Sequence, residues 1–203
     1  MAAQAVRPSD AAPATPRWRT VDIVVTAVLG VAFGVVFWAW SLLYNAATPA
    51  FAGFPPSQAV MYGVWLVVAV VAPLVVRKPG AALFAELIGA TVEALLGSSF
   101  GSLVIVYGLL QGAAAELGFA VFRYRRFGWL QALLAGALSG LMASVLDFVN
   151  YYPDWTAGWK TTYLLLVVAS TTLVAGAGGV LLHRALAASG ALSSFGAAGR
   201  ARV

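Results

Sequence analysis

The sequence predicts an all-α integral membrane protein, a bundle of six transmembrane helices with both termini in the cytoplasm. Of its 203 residues, 62% are hydrophobic and only 9% are charged, and the mean hydropathy is +0.90. Soluble chains are about half apolar and a quarter charged. At about 20 residues per crossing plus loops, this length holds about six spans. The composition excludes a disulfide scaffold, a nucleic-acid-binding domain and a large enzyme outside the membrane.

The first three spans are separated by segments that a helix rarely continues through. Span one covers residues 21–43 and is followed by a loop rich in Pro and Gly. Span two covers residues 58–76 and stops at Arg77, two residues before a proline. Span three, residues 81–96, is short and ends at the turn GSSFGS.

The last three spans follow the same pattern. Span four covers residues 103–122, span five 129–148 and span six 161–182. The membrane domain is therefore predicted over residues 18–185. The Ala, Pro, Gly and Ser-rich ends, residues 1–17 and 186–203, are predicted to be disordered cytoplasmic tails.

The basic residues give the orientation, because Lys and Arg concentrate in cytoplasmic loops. They lie in the N-terminal tail, between spans two and three, between spans four and five, and after span six. Lys160 alone of the 12 Lys and Arg residues falls on the other side. Both termini are therefore predicted to be cytoplasmic, and the number of spans is even.

Acidic side chains within spans are costly and usually mark function. Glu86, Glu93, Glu116 and Asp147 lie inside or at the ends of spans, where the sequence has no Lys or Arg. Glu86 and Glu93 are seven residues apart and share a helix face. Glu93 is predicted nearer the outer end. For Glu86 and Glu116 two explanations fit equally well. Each is either a functional group or a protonated group that hydrogen-bonds a neighbouring helix.

A ligand site is predicted in the outer half of the bundle, where polar and aromatic side chains reach a similar depth. Its candidate residues are Glu93, Tyr107, Gln111, Asp147, Asn150, Tyr151, Trp40, Tyr44 and Tyr163. Aromatic walls with carboxylates and amides suit a flat polar or cationic heterocycle. Trp and Tyr also gather at membrane interfaces without binding a ligand. The Ser and Phe residues of GSSFG are expected at the mouth of this site.

Span one also carries Gly30 and Gly34, a small-residue stripe that lets another helix approach closely. Both a partner subunit and a helix of the same chain fit this stripe.

The stretch RKPGAALFAELIGATVEALLG at residues 77–97, followed by a short Ser, aromatic and Gly turn, resembles the YkoE family. This family belongs to the S components of energy-coupling factor (ECF) transporters, and the resemblance covers about residues 18 to 185. It implies a bacterial cell-membrane subunit that binds thiamine or its hydroxymethylpyrimidine precursor from outside. It also implies docking through Ala27, Gly30 and Gly34 onto a T component that works with two ATPases. No catalytic residue, cofactor, metal or nucleic-acid partner is expected.

Two other functions compete with this interpretation. Glu86 and Glu116 near mid-membrane would suit a stand-alone proton-coupled carrier. The GxSxG pattern around Ser99 and the single histidine, His183, suggest a rhomboid-like intramembrane protease. The predicted topology separates Ser99 from His183 by a membrane core of about 30 Å, which argues against a nucleophile and its base.

Overall fold

The structure is a computed structural model that describes residues 17–190 and Leu192. Of the two predicted tails, residues 1–16, 191 and 193–203 lie outside these residues. The described chain contains no β-strand, and its α-helices are α1 Thr20–Ala47, α2 Val67–Val76, α3 Ala81–Leu95, α4 Leu103–Ala120, α5 Trp129–Asn150, α6 Ala157–Ser170 and α7 Gly178–Ala188. Tighter 3-10 helices cover Thr48–Phe51 and Pro55–Leu66, and a wider π-helix covers Thr171–Ala177.

Joined end to end, these elements make six helical rods in the described part of the chain. Five are long and apolar enough to cross a membrane, namely Thr20–Phe51, Pro55–Val76, Leu103–Ala120, Trp129–Asn150 and Ala157–Ala188. The sixth, α3, has 15 residues and is about 22 Å long, shorter than a hydrocarbon core of about 30 Å. The predicted all-α membrane fold is confirmed. Six crossings with both termini inside stay a prediction.

The rod Pro55–Val76 lies at the centre of the bundle. Every residue of α2 except the first is buried. The 3-10 half of the rod packs against α6, and Ser170 links the two elements. Its hydroxyl donates to the Val60 carbonyl at 2.7 Å and accepts from the Gly63 N–H at 3.0 Å. The central rod is therefore tied to its neighbour by hydrogen bonds as well as by packing.

Basic segments meet at one end of the bundle, which we call the basic end. The Lys78 ammonium donates to the Arg17 carbonyl at 3.0 Å. The Arg184 guanidinium lies 5.2 Å from the centre of the Trp129 ring, where α5 begins. Leu186 packs into the apolar cluster where α2 ends and α3 begins, which brings α7 to the same end. This grouping agrees with the predicted loops, and the side of the membrane stays a prediction.

Glu116 of α4 caps the start of α3 at the basic end. Its carboxylate oxygens accept hydrogen bonds from the backbone N–H groups of Gly80 at 2.6 Å and Ala82 at 2.9 Å. The first N–H groups of a helix have no partner within the helix and carry partial positive charge. Glu116 therefore serves a helix–helix contact, one of the two roles that the sequence allowed.

The small-residue stripe of α1 packs inside the chain. A Cβ on Gly30 would lie 2.8 Å from the Ile88 side chain, and one on Gly34 would lie 2.5 Å from the Val92 side chain. Both contacts are with α3, so the stripe lets these two backbones approach closely. Of the predicted docking residues, Gly30 and Gly34 are thus covered by the same chain, while Ala27 is half-buried. Of the two alternatives for the stripe, the structure shows packing within the chain, and docking of a partner at these residues stays a prediction.

Candidate functional site

A cavity of about 260 Å³ opens in the half of the bundle away from the basic end. Helix α3 starts beside Lys78 and runs away from the basic end, so Glu93 lies near its far end. The cavity lies between the central rod and the helices around it. Nine of its lining residues are aromatic: Phe37, Tyr44, Tyr62, Trp65, Phe100, Tyr107, Tyr151, Tyr152 and Tyr163. The others are Glu86, Glu93, Asp147, Gln111, Ala90, Val104 and Gly108.

The aromatic wall is held together by edge-to-face contacts. Trp65 contacts Tyr44 with ring centres 5.1 Å apart and Tyr62 at 5.5 Å. Such contacts are preferred because the positive edge of one ring meets the negative face of the next. Beyond the end of α5, burial raises the pKa of Tyr151 and of Tyr152. Both hydroxyls therefore stay neutral near physiological pH.

Glu93 is buried and held by two serines. Its Oε1 accepts hydrogen bonds from the Ser41 hydroxyl at 2.6 Å and from the Ser98 hydroxyl at 3.0 Å. The Trp65 indole N–H donates in turn to the Ser41 oxygen at 3.2 Å. Both serines bond the same carboxylate oxygen, so neither of them engages Oε2.

Asp147 holds tyrosines from two other helices. The Tyr107 hydroxyl donates to Oδ1 at 2.9 Å, and the Tyr163 hydroxyl donates to Oδ2 at 2.7 Å. Asp147 is only 3% exposed, so the tyrosines replace the water that its charge would otherwise need. Both oxygens are thus engaged, and the geometry favours a role in positioning two wall residues.

Gln111 and Glu86 lie deeper in the cavity. The Gln111 amide donates to the Tyr62 hydroxyl at 3.0 Å. Glu86 is 2% exposed, and its Oε2 has no hydrogen-bond partner among the described residues. The carboxyl group accepts one bond from the backbone N–H of Ala69. A buried oxygen without a partner is costly in free energy, so Glu86 requires an explanation.

Seven of the nine predicted site residues lie in the cavity wall, and Trp40 and Asn150 are not among its lining residues. The Trp40 indole donates to the Met61 carbonyl at 2.9 Å. The Asn150 amide donates to the carbonyl of Leu146, one turn back in its own helix. Both side chains are therefore engaged with backbone.

Tyr62 and Trp65 were missed because the prediction drew no ring from span two into the site. They lie three residues apart in the 3-10 segment, where such residues lie above one another, so both rings reach the cavity. Phe37 and Tyr152 carried no signal that separates them from ordinary membrane aromatics. Phe100, in the predicted mouth segment, does line the cavity, and Ser98 beside it bonds Glu93.

Among the described residues, Ser99 and His183 do not form the nucleophile–base pair that a protease requires. Ser99 accepts a hydrogen bond from the Asn45 amide at 2.6 Å, at the cavity end of the bundle. His183 is buried in α7, near the basic end, and its Nδ1 has no hydrogen-bond partner. A general base has to lie within hydrogen-bond reach of its nucleophile.

Comparison with known proteins agrees with this architecture. A family model described as "ABC-type cobalt transport system, permease component" matches residues 21–142. The chain is 34% identical over 179 residues to the "Putative HMP/thiamine permease protein YkoE" of Bacillus subtilis (strain 168), covering 88% of this chain and 89% of that protein. The chain belongs to the YkoE family of ECF-transporter S components. A solved structure, "Crystal structure of an S-component of ECF transporter", superposes on this S component with a TM-score of 0.83 at 33% identity, covering 88% of this chain and 90% of that chain. The family is one of transporter subunits and not of enzymes.

Proposed function

We propose that this S component binds thiamine or its hydroxymethylpyrimidine precursor in the cavity. The observation that carries this proposal is the chemistry of the wall, which combines nine aromatic side chains with three carboxyl groups. None of the residues described as lining the cavity is Lys or Arg. An acidic, aromatic cavity selects flat ligands that carry positive charge or hydrogen-bond donors.

Thiamine matches each of these features. Its aminopyrimidine ring is flat and carries an exocyclic amino group, and its thiazolium ring carries a permanent positive charge. The precursor keeps the aminopyrimidine ring and lacks the cation. Glu93 offers a free carboxylate oxygen, and Trp65 and Tyr44 offer ring surfaces beside it. A cation near such rings gains about 0.5–2 kcal/mol.

The Bacillus subtilis relative supports an organic ligand. The name of the Bacillus subtilis relative refers to HMP and thiamine. The description of the family model refers to cobalt. Among the described residues, no group of three His, Cys, Asp or Glu side chains is arranged to hold a metal ion. The cavity therefore fits an organic cation better than a bare metal ion.

Delivery is proposed to follow the general scheme of ECF transporters in the bacterial cell membrane. The cavity lies away from the basic end, which the distribution of Lys and Arg predicts to be cytoplasmic. Substrate would enter from outside, and a T component with two ATPases would drive its release inside. With Gly30 and Gly34 covered, the proposed docking surface on α1 shifts to its exposed face, which includes Val28 and Val31.

Ligand titration of the purified protein without ATP tests the proposal. Trp65 lies in the wall, so intrinsic fluorescence should report binding, and calorimetry provides an independent readout. We expect saturable binding of thiamine or of hydroxymethylpyrimidine, and none of a pyrimidine that lacks the amino group. Flat titrations with both ligands would refute the assignment.

A proton-coupled carrier is the second candidate, favoured by the buried and partly unpartnered carboxyl group of Glu86. The two functions differ in what the chain does alone. In liposomes that contain only this chain, a carrier accumulates substrate when a pH gradient is applied. An S component binds substrate but accumulates it only after the T component and ATPases are added with ATP.

A further inference from the structure

Glu86 forms the floor of the cavity, at a level that Glu93 does not reach. The two residues are seven apart on α3, which is about 10.5 Å along a helix. Glu93 lies near the end of the helix beside the mouth loop, whereas Glu86 lies mid-helix. Gly112 of α4 gives Glu86 its space, since a Cβ there would lie 2.9 Å from the Glu86 Cβ.

The Glu86 oxygen without a hydrogen-bond partner points to a donor group on the ligand. Glu86 is 2% exposed, lines the cavity and has one oxygen, Oε2, without a hydrogen-bond partner. Tyrosines bond both oxygens of Asp147, and serines bond only Oε1 of Glu93, whose Oε2 is not among the buried atoms without a partner. A donor from the ligand would complete the set of hydrogen bonds at the floor.

We propose that Glu86 is a specificity-determining residue that accepts a hydrogen bond from the exocyclic amino group of an aminopyrimidine, while Glu93 faces the cationic ring nearer the mouth. This inference rests on the proposed function. The two carboxyl groups then form a deep and a shallow subsite. A two-ring ligand engages both subsites, and the single-ring precursor engages only the deep one.

The orientation of the ligand follows from desolvation. Removing a permanent cation from water costs more free energy than removing a neutral amino group. Glu93 lies beside Ser98 of the mouth loop, Trp65 and Phe100 are in the cavity wall, and Tyr151 is 41% exposed. At the floor, Glu86 and the neighbouring Gly112 are buried. The amino group therefore belongs at the floor and the thiazolium ring near the mouth.

Two matched variants separate the subsites. Glu86→Gln and Glu93→Gln are the same substitution on the same face of the same helix. Each purified variant is titrated with thiamine, with hydroxymethylpyrimidine and with the thiamine analogue that carries oxygen in place of the amino group. A lost hydrogen bond to a charged group weakens affinity by about 10- to 100-fold. Glu86→Gln should lower the affinity for both natural ligands by that factor, and Glu93→Gln should lower the affinity for thiamine alone.

The oxygen analogue distinguishes loss of the amino-group contact from general misfolding of the variant. It should bind the wild-type protein about 10-fold or more weaker than thiamine, and Glu86→Gln should weaken it little further. If Glu86→Gln leaves thiamine and the precursor unchanged while Glu93→Gln weakens either, the inference about Glu86 is overturned and the proposed function survives. Equal loss of all three ligands in Glu86→Gln also overturns it. If wild-type protein binds none of them, the proposed function itself fails.

Discussion

Replacing Asp147 by Asn tests whether this carboxylate positions the wall or contacts the ligand itself. Asn keeps one acceptor oxygen, so one of the two tyrosine hydroxyls, at 2.9 Å and 2.7 Å, faces an NH2 group instead. Hydrogen bonds to charged groups contribute about 1.5–3 kcal/mol. Those measured between helices in membranes average about 0.6 and reach about 1.7 kcal/mol. The two ranges overlap near 1.5 kcal/mol, which is the loss in free energy of unfolding that we expect.

Denaturant unfolding in detergent micelles measures this loss, and a double-mutant cycle assigns it. Asp147→Asn combined with Tyr107→Phe or with Tyr163→Phe should cost less than the sum of the single changes for whichever tyrosine faces the NH2 group, because both changes then remove the same bond. Ser144→Ala is the matched control on α5, since its hydroxyl bonds only the Gly140 carbonyl of its own helix, at 2.9 Å. Unchanged stability with abolished ligand binding would refute the positioning role and make Asp147 a direct ligand contact.

Three further predictions follow from packing, capping and topology. Gly34→Leu should lower stability by about 1–3 kcal/mol, because even a Cβ there meets Val92 at 2.5 Å; wild-type stability in the same unfolding assay would show that α1 and α3 separate easily. Glu116→Gln should cost about 1 kcal/mol by weakening the cap of α3 while leaving ligand affinity unchanged; a large loss of affinity would contradict its purely structural role. The chain has no Cys, so Lys160→Cys should react with an impermeant thiol reagent on intact cells and Arg125→Cys only after permeabilisation. The reverse pattern would invert the predicted topology.

The fold was largely predictable because its signals are local. Apolar runs of about 20 residues and the grouping of Arg77, Lys78 and Arg125 depend on the sequence alone. The position of Glu93 at the far end of α3 followed from that topology. The short length of α3 was visible too, and the structure gives it 15 residues.

The site was only partly predictable because its geometry depends on partners distant in sequence. Tyr62 and Trp65 line the cavity from the segment Pro55–Leu66, whose apolar composition does not mark these two rings as site residues. Asp147 was recognised as an unusual acid, but its two tyrosine partners lie 40 and 16 residues away. For Gly30, both a partner helix and a neighbouring helix of the chain satisfied the sequence pattern, and only the structure shows α3 there.

The burial of the central rod has a consequence for how this bundle holds together. In water, enclosing the valines of α2 would release a large free energy. In a bilayer the alternative surroundings are lipid tails, which are as apolar as the neighbouring helices, so this gain is largely absent. The rod is retained by close shape matching, since a Cβ on Gly179 would lie only 3.0 Å from the Val70 side chain, and by the hydrogen bonds at Ser170. A substitution such as Val70→Ala therefore loses contact attraction above all, and enlarging Gly179 should be harmful although it adds apolar surface.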